Sequence, residues 1–145
     1  FGFGGTKQLK IKIENLMANL HKYKKLFALL FWVCILSIIV FSIIPNSPKM
    51  EANIGDKSFR IDYALHFMAY FSLSLLFFLW KSDQYFRIRK RLLVFFLMGA
   101  VFLSLFTELA QSIIPNRSFN PVDFLFNVTG ILIGVIFPKI LFRSN

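Results

Sequence analysis

Apolar residues in this chain gather in four long runs and do not alternate with polar ones at helix or strand period. The first, "LFALLFWVCILSIIVFSII" at 26–44, holds nineteen residues without a charge. About twenty are needed to cross roughly 30 Å of hydrocarbon. The second, 63–80, is broken only by His66 and hydroxyl side chains. The third, 92–114, is expected to stop at Pro115, because the residue before a proline is pushed out of helical geometry. The fourth covers 122–141, with Pro138 expected to kink it or end it early. The pattern predicts an all-α integral membrane bundle of four transmembrane helices. Residues 26–141 form its domain, 1–25 a basic N-terminal segment and 142–145 a short tail. Residues 1–16, "FGFGGTKQLKIKIENL", read as a linker or upstream extension, and Met17 as a plausible natural start. The "HKYKK" before the first span resembles a signal-peptide n-region, but "PNSPKM" after the span offers no small-residue cleavage site, so the span is expected to stay. The sixteen-residue connection "PNSPKMEANIGDKSFR" at 45–60 is expected to be irregular and able to lid a pocket.

Charge then sets a direction. Of the 17 Lys and Arg, thirteen lie in the N-terminal segment, the "KSDQYFRIRKR" loop and the tail, and four in the other connections. The positive-inside rule therefore places both termini in the cytoplasm. The formal net charge of +10 reads as topology and attraction to anionic headgroups, and no nucleic-acid partner is expected. The single cysteine, Cys34, lies inside an apolar run and excludes an intramolecular disulfide.

In that orientation the acidic residues and His of the spans all fall toward the outer face. Asp62, His66 and Tyr70 stand at i, i+4 and i+8 on the second span. Glu108 and Gln111 close the third, with Ser104 one turn below. Asp123, Asn127, Gly130 and Gly134 share one face of the fourth, and Arg117 occupies the outer turn between the two. Facing lipid, each charge costs up to about 2.5–3.5 kcal/mol at mid-span, so these stripes are expected to face one another. A His beside a carboxylate can act as general base, a buried carboxylic acid can give up a proton, and Arg grips phosphate or carboxylate with two parallel bonds. His66, Glu108, Asp62 and Asp123 are the candidate catalytic residues, and Arg117, Gln111, Asn127 and Tyr70 the candidate headgroup-binding ones. Structural readings stand beside these. "NPVD" at 120–123 looks like a helix start, with Asn120 as N-cap, Pro121 at N1 and Asp123 as a favourable acid near the N-terminus. Asp62 reads equally as a charge placed at a helix N-terminus. Asn127 and Gln111 are amides of the kind that bond across helices, and "GILIG" at 130–134 is a small-xxx-small motif for a close crossing inside the bundle or between protomers. One membrane-level His with carboxylates scattered along the chain is weak ground for a metal, so neither metal nor cofactor is expected.

The ordered set "DYALHFMAY", "ELAQ", "PNR", "DFLFN" and "GILIG", spread over residues 62–137, resembles the VanZ-like family of small bacterial membrane proteins. The family pattern often has Lys after the first Asp, where this chain has Tyr63, and Gly-Arg-Ser-Phe-Asp where it reads "NRSFN". The resemblance implies a cell-envelope role linked to teicoplanin resistance, with Asp62, His66, Tyr70, Glu108, Gln111, Arg117, Asp123 and Asn127 as the signature residues. It implies no settled activity. Three functions are therefore carried forward. One is an enzyme acting on an anionic lipid or lipid-linked cell-wall-precursor headgroup, with His66 as base. The second is a binder or transporter of the same headgroup. The third is a scaffold of a larger complex, or a homo-oligomer, assembled through Gly130 and Gly134.

Overall fold

The computed structural model describes residues 22–44, 51–54, 57–83, 87–115 and 118–141, with the backbone alone described in 51–60. Four helices follow the four apolar runs: α1 (Lys24–Ile43), α2 (Ile61–Lys81), α3 (Lys90–Ser112) and α4 (Pro121–Leu141). All four are long and apolar enough to cross a bilayer. Large side chains such as Phe41, Phe102, Ile113 and Ile140 are exposed, which suits a surface solvated by hydrocarbon. Hydroxyls on the helices bond to their own backbone: Ser42 Oγ donates to Ile39 O, Ser112 Oγ to Leu109 O and Thr129 Oγ1 to Leu125 O. That lets a span carry Ser or Thr without a partner helix.

The helix ends follow local chemistry. The Oδ1 of Asn120 accepts the Val122 N–H at 3.0 Å, the expected N-cap bond, and Phe124 N–H begins the helical ladder on Asn120 O. At the end of α3 the ladder tightens to i→i+3 bonds, Ile113 to Ala110 and Ile114 to Gln111. The helix thus closes at Ser112, two residues short of the expected 114. Pro138 neither ends α4 nor stands at its edge: it is buried inside a helix that continues to Leu141. What proline removes is the hydrogen bond to the carbonyl four residues earlier, that of Gly134, and a helix tolerates this loss where neighbouring elements hold it in place.

Half of the 45–60 connection is more regular than expected. Strands β1 (Glu51–Ile54) and β2 (Lys57–Arg60) pair antiparallel, from Glu51 opposite Arg60 to Ile54 opposite Lys57. Gly-Asp between two short runs is, in sequence, a hairpin signal as much as a sign of irregular chain. β2 leads into α2 with no residue between them, so the hairpin is attached at the end of the bundle where α2 begins.

Helix α4 packs most extensively against α2, and α1 lies across α2 and α3. Gly130 and Gly134 make the α2–α4 approach close. A Cβ on Gly130 would run into the Phe67 carbonyl oxygen, and one on Gly134 would stand 2.6 Å from Phe71 O. The small-residue motif is therefore used inside the bundle, and a protomer contact through the same glycines would first have to part this crossing. Toward the opposite end the core is aromatic: Phe77 and Phe96 stack at 3.8 Å, and Phe31 packs on both and on Trp80. Not every glycine is structural. Nothing lies within 4 Å of a Cβ built on Gly99. Gly99→Ala should accordingly leave the thermal midpoint in detergent unchanged or raise stability by about 0.5–1 kcal/mol, the gain of Ala over Gly in a helix.

Candidate functional site

Three helices bring polar side chains to the hairpin end of the bundle. His66 stands in the second turn of α2, Glu108 in the last turn but one of α3, and Asp123 and Asn127 in the first two turns of α4. Asn127 is central and fully buried. Its Nδ2 donates to Glu108 Oε1 at 3.4 Å, and its Oδ1 lies 3.1 Å from His66 Nδ1. A carboxylate offers acceptors only, so the amide nitrogen must face Glu108 and the amide oxygen must face the imidazole. The oxygen can only accept, so Nδ1 carries the hydrogen and donates to it. In the neutral ring the other nitrogen, Nε2, then presents a lone pair, and it lies 4.0 Å from Asp123 Oδ2. His66 Nδ1 is also 3.6 Å from Glu108 Oε1.

Burial is uneven across the group, and this decides where it can be reached. The side chains of Glu108 and Asp123 are 0% and 7% exposed, while that of His66 is 21% exposed. The imidazole is the accessible edge of an otherwise enclosed set. Glu108 Oε2 is buried and makes no well-formed hydrogen bond. One donor atom each from His66, Glu108 and Asp123 lies within 4.8 Å of the other two, although the three residues are widely separated in sequence.

Below this cluster a second polar layer continues down α2 and α3. The Tyr70 hydroxyl and Thr107 Oγ1 are 2.9 Å apart, and Thr107 Oγ1 lies 3.0 Å from Ser104 O as a donor. Since the Thr107 hydrogen is used there, Tyr70 is the donor to Thr107 in that arrangement. Tyr70, Ser74, Ser104 and Thr107 are all buried. Thr107 was not among the expected residues. Its signal was present, because Ser104, Thr107, Glu108 and Gln111 stand at i, i+3, i+4 and i+7, one stripe of a helix.

Of the expected site residues, His66, Glu108, Asp123 and Asn127 come together, with Tyr70 one turn further along α2 from His66. Asp62 is half-buried one turn before His66, and Gln111 is half-buried beyond Glu108; neither is among the three converging donors. Arg117 lies outside the described residues. The apolar groove between α1 and α3, lined by Phe31, Trp32, Ile35, Gly99, Phe102 and Phe106 among others, shares no residue with the polar cluster. Such a surface suits acyl chains and has no group for headgroup chemistry.

Searches among curated proteins and among solved structures gave no significant match. A family model does match, and it reaches well beyond the 62–137 stretch that carries the sequence resemblance. It aligns with residues 9–142, nearly the full chain and all four helices, and the protein therefore belongs to the VanZ/LLP1 family.

Proposed function

We propose that this protein works in the bacterial inner membrane with both termini cytoplasmic, recognising an anionic lipid or lipid-linked cell-wall-precursor headgroup at the outer leaflet and carrying out acid–base chemistry on it. The observation that carries this reading is the convergence of His66, Glu108, Asp123 and Asn127 from three helices into one enclosed group with the imidazole at its open edge. Polar groups held this far from water are expensive inside a membrane protein and are kept there chiefly for a task. The Asn127 amide holds the imidazole with Nδ1–H turned inward, which leaves Nε2 as the atom able to take a proton from a bound headgroup. The carboxylates of Glu108 and Asp123 stabilise the imidazolium that then forms. Arg117 and Gln111, on the outer turn and at the end of α3, are placed by the sequence to hold the anion. A change in the headgroup population is the route by which the protein would affect glycopeptide susceptibility.

The glycines of "GILIG" are buried against α2, so a scaffold built on that face has less support than a headgroup site. The test is a comparison of membrane lipids and lipid-linked precursors, by mass spectrometry, from cells expressing the wild-type chain, His66→Ala or neither. Wild type should shift the abundance of at least one anionic headgroup class, and His66→Ala should abolish the shift at equal membrane abundance, a loss of about 10²-fold or more. Identical profiles in all three would sink the enzyme and leave binding without turnover, to be read from headgroups that co-purify with wild type and not with His66→Ala.

A further inference from the structure

The polar cluster has a property that acid–base chemistry alone does not use. Two buried acidic side chains, Glu108 and Asp123, converge on one imidazole inside the bundle. His66 Nε2 presents a lone pair in the neutral ring, and Asp123 Oδ2, 4.0 Å from it, is an acceptor as well. Glu108 Oε2 is fully buried and makes no well-formed hydrogen bond, while the other oxygen of the same carboxyl meets Asn127. Buried polar atoms of native proteins are very largely satisfied, so Oε2, on a carboxyl next to an imidazole and a second carboxyl, leaves room for a donor or a cation.

We propose that His66, Glu108 and Asp123 bind a divalent transition-metal cation, Zn²⁺ or Mn²⁺ in class, which then presents its open coordination positions to the phosphate or carboxylate of the headgroup. One nitrogen and two oxygen donors make a set such ions accept, and three protein ligands with an open position is the arrangement of catalytic sites. Metal–ligand distances of about 2.0–2.2 Å allow donors on opposite sides of an ion to stand up to about 4.4 Å apart. Only one pair among three donors can stand opposite one another and neighbouring donors meet at about 3–3.5 Å, so donors within 4.8 Å of one another close on a cation by side-chain shifts of about 1 Å. Asn127 has the place of the outer partner: by accepting the Nδ1 hydrogen it keeps Nε2 free for the metal, the usual arrangement around a ligating histidine. A bound dication would also offset the charge of the two carboxylates and attract an anion.

The cation site stands without the headgroup reading; only the task given to the cation rests on it. With the cation in place His66 is a ligand and not the proton acceptor, so the two assignments can be separated. The wild-type protein, purified in detergent, stripped with EDTA and desalted, is titrated with ZnCl₂ and with MnCl₂ by calorimetry, and the thermal midpoint is followed alongside. One equivalent per chain is expected, with a raised midpoint. Affinity should fall at least 100-fold in His66→Ala and Asp123→Asn, and about 10–100-fold in Asn127→Leu. X-ray absorption of the zinc-loaded wild type should show a single imidazole nitrogen among oxygen donors, a readout that does not depend on any variant folding. Absence of saturable binding by either metal, binding unchanged in the two ligand variants, or a zinc shell without nitrogen would each overturn the proposal. Headgroup turnover by the EDTA-stripped protein that still requires His66 would overturn it too and leave the headgroup reading standing. Stoichiometric metal bound by a protein that changes no headgroup would instead remove that reading and keep the site.

Discussion

Gly130→Leu should prevent the protein from being recovered as a folded, monodisperse species in detergent, and Gly130→Ala should lower its thermal stability measurably. The cause is what a side chain would meet. A Cβ on Gly130 runs into the backbone carbonyl of Phe67 and stands 3.0 Å from Phe71 N. Gly134 repeats the arrangement one turn later, against Phe71 O and, at 2.7 Å, Ser74 Cβ. Overpacking a core typically costs about 1–3 kcal/mol, because neighbouring side chains can turn aside. A backbone carbonyl cannot turn aside and alanine already carries the clashing Cβ, so alanine should reach the upper end of that range and leucine, with three more carbons to place, should exceed it. The crossing also carries the site. Phe67 follows His66 on α2, and Gly130 comes one turn after Asn127 on α4. Prising the helices apart here separates the amide from the imidazole it orients. Gly99→Ala, the same chemistry at a position with nothing within 4 Å, serves as the control. If the motif worked between protomers instead, Gly130→Leu would stay folded with a wild-type midpoint and lose only a partner. Circular dichroism melting with size-exclusion chromatography distinguishes the two results.

That glycine pair shows how membrane sequences disclose and conceal their folds. Its spacing announced a close crossing but not which helix lay across it. The four spans were legible because hydrocarbon demands uninterrupted apolar length. The same uniformity hides which face turns inward. Among twenty phenylalanines, Phe31, Phe77 and Phe96 form the aromatic core while Phe41 and Phe102 face outward, and no property of the residue type separates them. Lipid and core ask for the same side chain, so the inward faces are marked only where a polar residue cannot face lipid. Hence the convergence of His66, Glu108, Asp123 and Asn127 could be anticipated from spacing alone. α1, with no such stripe, gave no hint of its packing on α2 and α3. Thr107 was missed because hydroxyls commonly bond to their own helix and carry little information, as Ser112 and Thr129 do here. The geometry of the cluster was the other hidden part. That Asn127 stands between His66 and Glu108, and so sets the ring's tautomer, depends on the angle at which three helices meet.

Glu108→Gln is the second substitution of large effect, and its effect should fall on function and not on the fold. Two outcomes compete. If Glu108 is one half of a buried ion pair that holds α3 to α2, then removing the charge strands the His66 side and costs about 3–5 kcal/mol. The distances argue against such a pair. Glu108 Oε1 is 3.4 Å from Asn127 Nδ2 and 3.6 Å from His66 Nδ1, both longer than a well-formed charge-assisted bond of about 2.7–2.9 Å. Oε2 makes no well-formed hydrogen bond, and the backbone N–H of Asn120 is the further donor that faces this carboxyl. A carboxyl kept with neither oxygen firmly held is an expensive ornament for a fold, since apolar or amide side chains would fill that position more cheaply. Glutamine keeps the volume and the oxygen that Asn127 requires. In metal-free protein at neutral pH, the thermal midpoint of Glu108→Gln should therefore match or exceed that of wild type, as it often does where a site holds groups the fold would rather lose. Headgroup-directed activity should drop by about 10²-fold or more, because an amide supplies neither the proton chemistry nor the charge of a carboxylate. A midpoint lowered by the equivalent of several kcal/mol would place Glu108 among the residues that hold the helices together and withdraw it from the reactive set, leaving His66 and Asp123 to carry the chemistry.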